Sequence, residues 1–332
     1  MARAWHLKAR PTGMPTSDNF ELKDLPETPL GVGQIKVRNA YLSVDPYMRG
    51  RMNDVKSYVP PFQIGEPMTG GAVGEVIESR AEGFATGDKV MHMNGWRDEA
   101  VVDAGDGPMG AQKLPATGLP IQTFLHNLGL TGATAYFGLL RTAEAKAGDI
   151  VFVSAAAGAV GSAVVQIAKA KGMTVIGSAG GADKCAWVKE LGADSCVDYK
   201  AGPVLKQLMD AAPKGIDVYF DNVGGEHLDA AYAVARERAR FAICGMIDAY
   251  NDGKPLELKF FIRTIPARIR TEGFIFTDYI AHMGEFLADA GALIASGKLK
   301  ARETVKQGLE STPDAFLGLF SGQNTGKMLV KL

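Results

Sequence analysis

Two tyrosines stand where a strand gives way to a loop. Tyr47 lies in LSVDPYMRG beside a proline turn, and Tyr250 lies in CGMIDAYN just past a strand-like run. A phenol in such a place can donate to an oxygen that gains negative charge during a reaction. It can equally pack half-buried with its hydroxyl tied up. Another set of residues is spaced for phosphate. In VFVSAAAGAVGSAVVQIAKAKGMTVIGSAGG, residues 151–181, Ala156, Gly158 and Gly161 occupy the three positions of a G-x-G-x-x-G pattern, with alanine replacing the first glycine. The replacement is tolerable if the turn needs no positive φ at 156. Gly158 would let the backbone approach a pyrophosphate. Gly161 would let a helix pack closely on the sheet, and the helix opening at Ala159 and Val160 would point N–H groups at the phosphates. A tightly packed crossover without any ligand uses the same small residues.

The surroundings of the run favour a dinucleotide: a strand before it, an amphipathic helix after it, and a second strand, TVIGS, at the right distance. A site for NAD usually carries an acid near the end of that second strand, and none occurs before Asp183. An acid would repel a 2′-phosphate, whereas Ser178 and the glycines leave room for one. Lys184 follows at the start of the next helix and can supply a positive charge, or it can be an ordinary solvated lysine. These residues point to NADPH/NADP+ rather than NAD. Cys244 and Gly245 end another strand, and Asn222 follows the strand DVYFD. Both places are strand carboxyl ends, where ligands of open α/β sheets bind, although Asp221, Asn222, Gly224 and Gly225 also suit a plain turn.

Other chemistries lack their residues. Zinc needs a close ligand set, but no cysteine precedes residue 185, and Cys185, Cys196 and Cys244 are widely spaced. His92 and Glu66 lack a third ligand, and the five histidines show no H-E-x-x-H spacing. No metal is expected. No G-x-S-x-G elbow marks a hydrolase. With 36 basic and 37 acidic side chains the net charge is -1, which gives no field for a polyanion, so no nucleic-acid partner is expected. No apolar run reaches the roughly 18 to 20 residues a membrane span requires. A soluble, cytoplasmic protein with no membrane partner is the expectation.

The elements that must position these residues fall into two textures. The first third is rich in strands and turns (IKVRNAYLSV, GGAVGEVIES, ATGDKVMHM), which predicts a barrel-like β domain. From Asp149 to about Gly245, short apolar strands (IVFVS, TVIGS, SCVDY, DVYFD, ARFAICG) alternate with helices, which predicts a parallel sheet covered on both faces. The segment FIRTIPARIRTEGFIFTDY can add two further strands, and the tail can return to the first domain. The fold class is α/β: a Rossmann-type doubly wound parallel sheet plus a β-barrel domain. The expected boundaries are 1–120 for the barrel, 121–290 for the nucleotide domain and 291–332 for the returning segment.

Taken together, LSVDPYMRGRM, LGLTGATAYFGL, VFVSAAAGAVGSAVVQIAK, LGADSCVDYK, DVYFDNVGGE, ICGMIDAYN and NTGKMLVKL resemble the zinc-independent medium-chain dehydrogenase/reductase superfamily. More narrowly they are similar to its prostaglandin reductase, leukotriene B4 12-hydroxydehydrogenase and plant double-bond reductase branch, in order and over nearly the whole chain. The resemblance implies a GroES-like barrel, an active site between the domains, and frequently a homodimer. It implies that Lys184 meets the 2′-phosphate, that Tyr199 packs at the adenosine phosphate end, and that Asn324 reaches the nicotinamide side. It also implies that Tyr250 stands near the nicotinamide ribose and the substrate oxygen, with Tyr47 in the substrate pocket.

The activity so implied is NADPH-dependent reduction of the C=C bond of α,β-unsaturated ketones or aldehydes, an enone or 2-alkenal reductase. Hydride goes to the β carbon, and the enolate is stabilised by a cofactor ribose hydroxyl with Tyr250. Tyr47, Trp96 and Tyr250 are the expected pocket residues, Trp96 as a wall or as ordinary core. The alternatives are a quinone reductase, an alcohol dehydrogenase, and a non-catalytic NADPH-binding structural or sensor protein.

Overall fold

The computed structural model describes residues 1–105, 110–251, 253 and 255–332. The chain divides into two compact units. The first holds 1–125, 303–324 and 328–332, and the second holds 126–302 with 325–327. The return to the first unit thus begins at 303 rather than 291. The helix Met283–Ala295 stays with the second unit because it is anchored there: the Tyr136 hydroxyl bonds Glu285 and Asp289 at 3.1 and 3.0 Å, and Lys171 pairs with Asp289 at 2.9 Å.

In the first unit β1 (Arg3–Leu7) and β2 (Phe20–Asp24) form an antiparallel pair. The larger sheet contains β3 (Gln34–Ser43), β4 (Ala72–Ser79), β5 (Lys89–His92), β6 (Glu99–Asp103) and β7 (Gln112–Lys113). The C-terminal strands Glu303–Gln307 and Lys327–Lys331 extend it, the latter running antiparallel to β3. Alternation places Ile35, Val37, Val76, Val90, Ala100 and Val102 in one core cluster. A second cluster gathers Leu7, Phe20, Met48, Trp96 and, from the returning segment, Phe316 and Val330. The short helix α1 (Tyr47–Arg51) follows Pro46, whose fixed φ suits a helix start.

The second unit is a six-stranded parallel sheet. Its strands are β8 (Ile150–Val153), β9 (Thr174–Ala179), β10 (Ser195–Asp198), β11 (Ile216–Asp221), β12 (Ala235–Ile243) and β13 (Arg270–Gly273). They lie in the order β10-β9-β8-β11-β12-β13. The chain moves outward from β8 to β10 and then restarts on the other side of β8 with β11, so the switch point lies between β8 and β11. The helices α2 (Leu130–Phe137), α3 (Ala159–Ala170), α4 (Ala182–Glu190), α5 (Val204–Ala211) and α6 (Gly225–Val234) accompany the sheet. Only one strand forms within 261–279. Pro266 has no N–H to give a ladder, and residues 261–267 turn helically instead, closing with Arg268 at φ 50°. Among the described residues no helix is long and apolar enough to cross a membrane.

Candidate active site

The phosphate turn leaves β8 through Ser154. Ala155, not Ala156, carries the positive φ, at 47°. An alanine there is strained by about 1–2 kcal/mol, and the turn is held by surrounding bonds. Ser154 N–H donates to Phe220 O at 3.2 Å, Ala156 N–H to Ser178 O at 2.8 Å, and Gly158 N–H to Ala155 O at 2.8 Å. Gly158 then caps α3 with extended backbone. The first N–H groups of α3, on Ala159, Val160 and Gly161, have no carbonyl within the helix to bond and form its positive end. Gly161 is required by packing: a Cβ there would collide with Ala155 O and lie 2.8 Å from Ala156 Cα. A Cβ on Gly158 would meet only Ala155 O, at 3.2 Å. Gly326 donates to Ala157 O at 2.8 Å and bridges Gly158, so residues 325–327 brace this turn. Asn324 directly precedes them and is partly exposed.

At the ends of β9 and β10 the chain builds a cationic cradle. The residues pair Asp198 with Ala179, so the two loops leave side by side. Asp198 Oδ1 accepts from Gly181 N–H at 2.8 Å and from Lys200 N–H at 3.0 Å. Lys184 lies in the first turn of α4. Burial, and then the charge of Lys200, lower its pKa below the ordinary lysine value. Burial, with Asp198 adding to it, raises the Tyr199 phenol, which packs edge-on to His227 at 5.5 Å between centroids. Lys200 and His227 carry no signal of their own in the sequence; Lys200 was visible only as the residue after Tyr199 in VDYK.

Ser178 does not belong to this cradle. Its side chain is fully buried, and its Oγ bonds His227 Nε2 at 2.9 Å. Burial drives His227 down to about 4, so the imidazole is neutral at pH 7. β9 is buried on both faces from Val175 to Ala179, and Ser178 points to the face that carries His227. What the cradle gains from position 178 is a small side chain, not a hydroxyl ligand.

The loops beyond β11 and β12 hang on one residue. Asp221 is fully buried, and its Oδ1 accepts from Tyr219 Oη (2.6 Å), Ser154 Oγ (3.1 Å) and the N–H groups of Val223 and Gly224 (2.9 Å each). Burial raises its carboxyl above the usual range. Its backbone O accepts from Cys244 N–H and Gly245 N–H at 2.9 and 3.1 Å. The next two carbonyls, Asn222 and Val223, accept from Ile247 and Asp248 at 3.3 and 3.1 Å. Asn222 Nδ2 donates to Ser154 O at 2.8 Å, which ties this loop to the phosphate turn. Burial and Asp221 push the Cys244 thiol up to about 12, so it stays protonated. Tyr250 closes the loop: its Oη accepts from Met246 N–H at 3.2 Å, and a Cβ on Gly245 would approach that oxygen to 2.9 Å. Ala156 to Gly161, Asn222, Cys244, Gly245 and Tyr250 therefore share the carboxyl ends of β8, β11 and β12.

In the first unit, burial and then Asp45 raise the Tyr47 phenol well above its ordinary value, so it is a neutral hydroxyl. Arg51 hydrogen-bonds it while donating to Pro60 O and Thr69 Oγ1, each at 2.9 Å, and covering the Phe62 ring. Trp96 is corrected from pocket wall to core. It has no exposed surface and sits 5.7 Å from both Phe20 and Phe316, centroid to centroid. A ring enclosed on all sides offers a substrate nothing to touch. His92 is also a core brace, its Nε2 2.8 Å from Asn39 Oδ1. Among the described residues no group of three His, Cys, Asp or Glu is placed to hold a metal ion.

Comparison with known proteins gives a consistent picture. The family described as the N-terminal domain of oxidoreductase matches residues 3–109, and that described as zinc-binding dehydrogenase matches residues 159–289. The chain is 40% identical to the NADPH-dependent curcumin reductase of Escherichia coli strain K12, over 99% of this chain and 96% of that protein. It is 39% identical to prostaglandin reductase 1 of Bos taurus, over 99% of each. Among solved structures it is similar to CurA from Vibrio vulnificus in complex with NADPH, with TM-score 0.93 and 42% identity, covering 99% of this chain and 98% of the other.

Proposed function

Because the chain belongs to the zinc-independent medium-chain dehydrogenase/reductase family, we propose that it is an NADPH-dependent reductase of the C=C bond in α,β-unsaturated ketones and aldehydes. The observation that carries the cofactor half is the cradle at Gly180–Lys184 and Tyr199–Lys200. It holds two lysines and a phenol, and Asp198 beside it turns Oδ1 to two backbone N–H groups. The group fits: glycines leave room where a side chain would intrude, and the opening turn of α3 presents N–H donors for a pyrophosphate. NADPH, when bound, supplies the hydride that goes to the β carbon of the substrate.

The chain's own residues then have three tasks. Gly158 to Gly161 hold the pyrophosphate, with Asn222, Cys244 and Gly245 lining the same strand ends. Lys184 and Tyr199 hold the adenosine end, and Asn324 the nicotinamide side. Tyr250 manages charge: as hydride arrives, negative charge gathers on the substrate oxygen, and a phenol donating there, beside a ribose hydroxyl, lowers the barrier. The protonated Cys244 thiol adds no competing negative charge. Tyr47 contributes a second neutral hydroxyl on the substrate side. The α carbon takes its proton from water. A homodimer is part of this reading and is checked by light scattering.

The test compares steady-state rates with NADPH on a short 2-alkenone, a 2-alkenal and a quinone, for the wild type and Tyr250→Phe. A hydrogen bond to a charged group is worth about 1.5–3 kcal/mol, so kcat/KM on the enone should fall about 10- to 150-fold in the variant. Full activity of Tyr250→Phe removes the phenol from the mechanism. A wild type that turns over the quinone far better than both alkenes is a quinone reductase instead. Binding of NADPH with no turnover of any of the three marks a non-catalytic protein.

A further inference from the structure

We propose that Lys200 is a second residue determining cofactor specificity, sharing the 2′-phosphate of NADPH with Lys184. This rests on the NADPH reading above and deepens it, giving Lys200 a part in telling NADPH from NADH. Two contacts converge, and the electrostatics agree with them. A Cβ built on Gly180 would stand 2.5 Å from Tyr199 Oη and 3.1 Å from Lys200 Cε, so both side chains cross the bare face of that glycine. Asp198 Oδ1 grips the N–H groups of Gly181 and Lys200 together, fixing the loop that launches α4 beside the loop after β10. Lys184 feels the charge of Lys200 directly.

Two ammonium groups brought toward each other repel, and a fold gains nothing from that in the absence of a ligand. A dianion removes the cost. A phosphate monoester carries about -1.5 to -2 at pH 7, enough for both lysines, whereas a ribose hydroxyl offers neither charge. The negative groups facing the spot are few. Asp198 uses Oδ1 on two backbone donors, and Asp183, beside Lys184 in α4, is exposed. Lys200 is itself exposed, so its side chain is available to a ligand arriving from solvent.

The experiment measures Kd for NADPH, NADH, 2′,5′-ADP and 5′-ADP, by titration of the full chain as wild type, Lys200→Met and Lys200→Arg. Methionine keeps most of the stem and removes the charge; arginine keeps the charge. The expected result is that Lys200→Met weakens NADPH and 2′,5′-ADP about 10- to 100-fold, leaves NADH and 5′-ADP within about twofold, and is largely rescued by Lys200→Arg. Gly180→Ala, which drives Tyr199 and Lys200 off their glycine, should reproduce the loss. If the wild type prefers the 2′-phosphorylated ligands but Lys200→Met binds them normally, the proposal falls and the NADPH reading stands. Equal weakening of all four ligands makes Lys200 structural and also overturns it. A wild type without preference for the 2′-phosphate overturns both.

Discussion

Gly158 and Gly161 can be separated by one substitution each. Alanine at 161 places a methyl against Ala155 O and 2.8 Å from Ala156 Cα, where ordinary contact begins at 3.4 Å. Both obstacles are backbone of the turn itself, so neither can rotate away. The helix α3 must retreat from the turn by about 0.6 Å or more, an overpacking that costs about 1–3 kcal/mol. For units of this size that lowers Tm by about 2–12 °C. The same retreat carries the N–H groups of 159–161 away from a pyrophosphate, and losing one charge-assisted bond weakens NADPH about 10- to 150-fold. Alanine at 158 meets only Ala155 O at 3.2 Å and keeps a φ of -83°, which alanine adopts freely. Gly158→Ala should therefore hold its Tm within about 2 °C while losing NADPH affinity, because its methyl would stand where the proposed reading puts the pyrophosphate. Differential scanning fluorimetry with and without NADPH reads both quantities. A Gly161→Ala protein with wild-type Tm would refute the close-packing argument. Normal NADPH affinity in Gly158→Ala would refute the placing of the pyrophosphate.

Other outcomes follow from the site. Ser178→Ala should leave NADPH affinity within about twofold but cost about 1–3 kcal/mol in a urea titration, because it strands a buried His227 nitrogen; a selective loss of NADPH affinity would return the hydroxyl to the cofactor. His227 titrates at about 4 in the fold and at 6.5 unfolded, so the unfolded chain binds the extra proton first and stability is lost as pH falls between those values. The wild type should lose about 3 kcal/mol more than His227→Gln between pH 7 and pH 4, and parallel urea midpoints would contradict a neutral, buried imidazole. The lowered pKa of Lys184 has the opposite bearing on pH: its proton leaves earlier than an ordinary lysine's on the alkaline side, so the NADPH-over-NADH preference should decay at a lower pH than an ordinary lysine's charge would set. A preference constant to pH 11 would show that Lys184 is not the charge involved.

The parallel sheet was legible because its strands are buried on both faces and so appear as short apolar runs between helices. That same burial hid Ser178: with no polar face to alternate against, nothing local says on which side residue 178 points. The phosphate turn was legible in Gly158 and Gly161, whose need for space is set by neighbours within a few residues. Its strained position, Ala155, was not legible, since φ there depends on bonds from Phe220 and Ser178 that arrive from other strands. Trp96 sits among turn residues in HMNGWRDEA, and Phe20 and Phe316, both distant in the sequence, turn it into core. Lys200 is silent in the sequence for a similar reason: its meaning depends on β10 pairing beside β9 over a glycine that belongs to another loop.

Asp221 makes two loops into one heritable piece. Its single oxygen and its carbonyl hold 221–225 and 244–250 together, and Asn222 stitches both to Ser154. A designer who swaps the Tyr250 loop between relatives to change substrate preference would leave three carbonyl partners behind on the old scaffold. The transplantable module is the discontinuous pair of segments with the serine that underpins them, and libraries built on 244–250 alone would sample mostly misdocked loops.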